Sequence, residues 1–120
     1  MDCYDFYLKF IENLSPRDYL SSLNGWEGDI PWVVIFSSLG RYFANDFPVL
    51  NEEKKDNIFS LIKLAMEKEN SLSTSVATGL LEALHKASMR NGLPGNELID
   101  RLDMESSRYL AAWVEWSGLK

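Results

Sequence analysis

At 120 residues the chain has the size of one domain and is long enough to bury roughly 65% of its unfolded surface, so a core needs neither disulfides nor metals. An apolar fraction of 46% and a charged fraction of 25% are those of an ordinary globular protein and exclude a disordered chain. Twelve Lys and Arg against eighteen Asp and Glu leave a net charge of -6, which argues against a nucleic-acid partner, because phosphate binding depends on clustered cations.

In chain order, Tyr7, Phe10, Ile11 and Leu14 share one face of a first helix over residues 4 to 14. Ser15, Pro16 and Asp18 supply a cap, a first-turn proline and a first-turn carboxylate for a short second helix reaching Leu23, which Asn24-Gly25 ends. Asp29 is placed to cap a third helix from Pro31 to Ala44. Its Trp32-Val33-Val34-Ile35-Phe36 run would also suit a buried strand, but Leu39, Tyr42 and Phe43 continue the face at helical spacing. Asn51 caps a fourth helix with Glu52 and Glu53 in its first turn and a stripe of Ile58, Leu61, Ile62, Ala65 and Met66. The Ser71 to Ser75 cluster opens a fifth, with Val76, Leu80, Leu84 and Ala87 inward and Asn91-Gly92 as its stop. After Pro94-Gly95, Asn96 caps a short helix to Leu102, and Asp103 caps the last, which carries Tyr109, Leu110, Trp113 and Trp116. The expected fold is all-α: one domain over residues 1–120, an antiparallel bundle or helix-pair array of about six helices.

The single cysteine, Cys3, has no partner within the chain, which suits a reducing, cytoplasmic compartment. The N-terminus lacks the basic and apolar regions of a secretory signal. The longest apolar run, Ile30 to Phe36, is far short of the roughly 20 residues that span a bilayer, so no membrane partner is expected. Residues 1 to 30 hold Asp2, Asp5, Glu12, Asp18, Glu27 and Asp29 against Lys9 and Arg17, which concentrates the excess negative charge in the first quarter. Such asymmetry either keeps a solvated face soluble or steers a basic partner.

Glu82 and His85 have the i, i+3 spacing of di-iron bundle ligands, but that site needs two such pairs and the chain has a single histidine. Glu82 reads instead as a surface or partner-facing carboxylate, or as the i, i+4 partner of Lys86. No base-activated nucleophile is apparent, since His85 is the one neutral-pH base and nothing local pairs it with Cys3. The adjacent pairs Glu52-Glu53 and the nearby Glu67 and Glu69 diverge around a helix, and Gly92-Leu93-Pro94-Gly95 lacks the spacing and lysine of a phosphate loop. No catalytic residue, metal or cofactor is therefore expected. Of the four tryptophans, Trp113 fits a core. Trp26, in an acidic glycine-flanked loop, and Trp32 suit either a loop anchor or an interface hot spot.

The acidic aromatic N-terminal helix, Gly79-Leu80-Leu81-Glu82-Ala83-Leu84 and Ser107-Arg108-Tyr109-Leu110-Ala111-Ala112-Trp113 resemble a group of small bacterial all-helical proteins, similar to the immunity proteins of polymorphic toxin systems. The resemblance covers mainly residues 58 to 113. It implies a non-catalytic domain that binds and blocks a toxin. The expected partner is a basic toxin domain, met by Asp2, Asp5, Glu12, Asp18, Glu27, Asp29 and Glu82 with Trp26 or Trp32 as the desolvated anchor. A general helical adaptor is the alternative.

Overall fold

A computed structural model describes residues 1–14, 31–68, 70–89 and 99–117, and among these there is helix and no strand. Helix α1, Cys3–Ile11, starts at a reciprocal capping box: Asp2 accepts from the Asp5 amide at 2.8 Å, and the Asp5 carboxylate accepts from the Asp2 amide at 3.3 Å. It buries Cys3, Phe6, Tyr7 and Phe10, so the inward arc is wider than the Tyr7, Phe10, Ile11 and Leu14 stripe, and Ile11 sits only at its edge. The expected second helix, from Ser15 to Leu23, lies outside the described residues.

Helix α2, Trp32–Asp46, settles the helix-or-strand ambiguity in favour of helix and runs into a single 3₁₀ turn, Phe47–Val49, that contains Pro48. Pro31 stands before the first helical turn, and no side chain caps it; Asp29 is not among the described residues. Helix α3, Glu52–Met66, is capped as expected, with Asn51 Oδ1 accepting from the Lys54 amide at 2.8 Å. It turns Phe59 into the core beside Ile58, Ile62 and Ala65, whereas Leu61 and Met66 are half-buried.

Helix α4 begins as Ser71–Ser75, widens into a π-helical stretch at Val76–Leu81 and closes as α-helical Glu82–Ser88. Its cap is Asn70, one residue before the serine cluster, in a box with Ser73. The i→i+5 bonding widens the helix here, and Val76, Ala77, Gly79, Leu80 and Leu81 are all buried in this stretch. Helix α5, Met104–Ser117, begins after Asp103, whose carboxylate accepts from the Ser106 amide at 3.1 Å and from its hydroxyl at 2.6 Å.

The core is aromatic. Phe6 meets Phe36 with ring centroids 5.1 Å apart, Phe10 meets Phe43 at 6.0 Å, and Phe43 meets Phe59 at 5.4 Å, which ties α1, α2 and α3 together through edge and tilted contacts. On its other side α2 packs against α4 at backbone distance. A Cβ added at Gly79 would stand 2.5 Å from the Val33 carbonyl oxygen, and one at Gly40 would stand 2.9 Å from both the Leu80 carbonyl oxygen and Ala83 Cβ. Reciprocal glycines thus set how closely the two helices cross.

Among the described residues five helices are present rather than about six; the start of the short helix expected from Asn96 also falls outside them. No described helix is long and apolar enough to cross a membrane.

Candidate functional site

The π-helical stretch turns its inner residues toward α2 and leaves Thr78 and Glu82, one turn apart, on its outer face. Opposite them α5 presents Tyr109, Ala112, Trp113 and Trp116, and together these six residues line an open groove of about 510 Å³. Its walls are mainly apolar. The Tyr109 hydroxyl crosses the groove floor and donates to Glu82 Oε2 at 2.6 Å. Burial pushes the Tyr109 phenol up to about 12, helped by that donation to a carboxylate and opposed by a hydrogen bond from Thr78.

His85, outside the groove lining, meets Trp113 edge-on, with centroids 5.5 Å apart at 88°. His85 Nε2 is buried without a hydrogen-bond partner, and burial lowers its proton affinity. Within the lining, Trp116 is 84% exposed. Thr78 and Glu82 also line a smaller, more enclosed pocket of about 140 Å³ with Ser37, Arg41, Gly79 and Lys86.

The residues singled out in the sequence scatter. Asp2 and Asp5 are exposed but occupied in capping α1. Glu12 is exposed at the end of α1, beside an open cleft of about 280 Å³ shared with Lys9, Asn57 and Leu64. Trp32 is half-buried and packed on Tyr4, Tyr7 and Phe36 at centroid distances of 6.4, 6.3 and 5.6 Å, which makes it an extension of the core. Asp18, Trp26, Glu27 and Asp29 lie outside the described residues. Glu82 alone lines a groove with tryptophans, and it bonds Tyr109 rather than Lys86. Trp116, expected on the inward stripe of its helix, is in solvent.

Among the described residues no group of three or more His, Cys, Asp or Glu side chains is placed to hold a metal ion. Cys3 is a buried free thiol whose pKa is raised, chiefly by burial. No family model, curated protein or solved structure matches the chain, so a functional reading rests on the geometry and on the sequence.

Proposed function

We propose that this chain is a non-catalytic protein-binding domain, and in its sharpest form a bacterial, cytoplasmic immunity protein that neutralises a basic toxin domain. The observation that carries the reading is Trp116, 84% exposed at the mouth of a groove it shares with Trp113. A tryptophan buries about 150–250 Å², which at roughly 25 cal/mol per Å² amounts to about 4–6 kcal/mol. Most of that area is uncovered in the isolated chain, and a partner that covers it gains whatever part of this figure the costs of association leave. Tryptophan is also the residue type most enriched among interface hot spots. The net charge of -6 supports a basic partner, because unlike charge speeds encounter.

The contact surface proposed is the α4–α5 groove, with Glu82 retained from the sequence reading. The N-terminal acids contribute attraction at a distance rather than contact, since Asp2 and Asp5 already cap α1.

The test is co-expression of the chain with the product of the reading frame beside its own gene. The expected result is growth arrest by the neighbour alone, relief by the wild-type chain, and loss of relief with Trp116→Ala, a surface change that leaves circular dichroism unaltered. An isolable complex with a non-toxic protein instead selects the adaptor. Absence of both arrest and complex refutes the immunity reading.

A further inference from the structure

The α4–α5 groove holds one carboxylate in an otherwise aromatic and apolar wall, and one oxygen of that carboxylate is bonded within the fold while the other is open to solvent. Glu82 Oε2 accepts from Tyr109 at 2.6 Å, which fixes the side chain in place. Its second oxygen, Oε1, has no hydrogen-bond partner among the described residues, and none of the described ion pairs uses Glu82. Lys55 and Arg101 go to Glu52, Arg101 also to Asp56, and Arg108 to Glu105. Lys86, one turn along α4, and Arg41 are exposed and share the neighbouring pocket with Glu82, but neither forms an ion pair with it.

We propose that this groove receives a cationic side chain, the guanidinium or ammonium of an Arg or Lys on a protein partner, held between Glu82 Oε1 and the indoles of Trp113 and Trp116. Three alternatives for the occupant fare differently in this setting. An apolar side chain would cover the indoles but strip water from Glu82 Oε1 and leave it without a partner, which penalises binding. An anion would be repelled by Glu82 and by the negative faces of the rings. A cation meets the ring quadrupole face-on and the free carboxylate oxygen end-on, and both attractions strengthen as the groove closes over it. The aromatic surface of Tyr109 completes the wall, and its hydroxyl, already spent on Oε2, does not compete for the ligand.

This inference deepens the protein-binding reading and rests on it for the source of the cation, while the groove's preference for a cation can be measured alone. The probes are acetyl-Gly-Arg-Gly-amide and acetyl-Gly-Lys-Gly-amide, with the citrulline and leucine peptides as neutral counterparts, titrated into the full chain while the indole N–H resonances of Trp113 and Trp116 are followed by NMR. The Arg and Lys peptides should give saturable shifts of those two resonances at concentrations on the order of 1 mM, with the citrulline and leucine peptides at least about tenfold weaker. Glu82→Gln keeps an acceptor for Tyr109 and removes only the charge, and it should weaken the Arg peptide by about tenfold. Trp116→Ala, which alters an exposed residue, should weaken it as well, so the result does not depend on the folding of one variant.

Equal binding of the leucine or citrulline peptide would overturn the proposal in favour of a purely apolar docking groove. Cation shifts confined to other resonances, or none that saturate, would overturn it outright. Selective cation binding together with failure of the co-expression assay would uphold the groove and sink the immunity reading. A toxin complex that needs Trp116 but ignores Glu82→Gln would do the reverse.

Discussion

Gly79→Ala tests the helix crossing on which the groove is built. Ordinary contact begins at 3.4 Å and the new methyl would stand 2.5 Å from the Val33 carbonyl oxygen, so about 0.9 Å must be found. The clash is with backbone, and the methyl is also 3.1 Å from Phe36 Cβ, so no side-chain rotation relieves it. The helices must part instead. Phe36, Leu39, Leu80 and Leu84 are all at 0–1% exposure, and a gap of 0.5–1 Å forfeits roughly a quarter to a half of each dispersion contact it stretches. Overpacking of this kind costs about 1–3 kcal/mol, and a backbone obstacle places it near the top. The helix preference of Ala over Gly returns about 1 kcal/mol, leaving a net loss of about 2 kcal/mol. Urea unfolding followed by circular dichroism reads it as a lower midpoint at unchanged slope. Gly40→Ala, with its shorter overlaps at 2.9 Å, should cost less. The double variant should cost less than the sum, because one separation relieves both clashes. A midpoint that rises with Gly79→Ala would mean propensity alone acts there and the helices are not in backbone contact.

Leu84→Ala, which empties a fully buried site, should cost about 2–5 kcal/mol, while Lys86→Ala on the exposed face should stay within about 0.5 kcal/mol; equal denaturant midpoints would refute the assigned inward face. Asn51→Ala removes the α3 cap and should cost about 1 kcal/mol in the same assay. Native Cys3 should react with a thiol reagent far more slowly than the unfolded chain does, because its thiol is buried and its pKa raised. His85 is depressed in the fold below the ordinary 6.5, so below that pH the unfolded chain takes up a proton that the native chain resists. Stability should therefore fall as pH drops below about 6.5, and His85→Gln should flatten that part of the curve measured by urea titration.

Local signals carried most of the fold. Asn51 and Asp103 are caps a reader can find from residue type and the following apolar run, and both make the bonds those positions require. The α2 run of branched and aromatic residues folds as helix because Phe36, Leu39 and Phe43 recur at helical spacing and all three reach full burial. What a 3.6-residue stripe hides is a change of winding. Ala77, Gly79 and Leu81 lie off the Val76, Leu80, Leu84 line and are buried as well, in the stretch where α4 takes π-helical turns. Phe6 and Phe59 were similarly out of reach, since each meets a ring of another helix, Phe36 and Phe43 respectively, and is buried beside a neighbour, Tyr7 or Ile58, that is buried too.

The groove was hidden for a related reason, one that α5 makes plain. Tyr109, Trp113 and Trp116 form a conspicuous aromatic line at helical spacing, and such a line ordinarily marks the side of a helix that faces the core. The buried residues of α5 are instead Ser106, at 0% exposure, and Leu110, at 4%, which are four apart and point along a different edge. A serine is a poor advertisement for a core position. It is tolerated there because its hydroxyl donates to Asp103 at 2.6 Å, so the polar group enters the interior already satisfied. With Ser106 and Leu110 facing the core, the aromatic line is rotated onto the flank, where it grades from half-buried Tyr109 and Trp113 to exposed Trp116. An inward line of Ser106 and Leu110 and a flanking line of tryptophans have the same period, and periodicity cannot rank them. Packing against the other helices does: Ser106 and Leu110 are the residues that reach the core, and the three aromatic rings line the groove with Glu82.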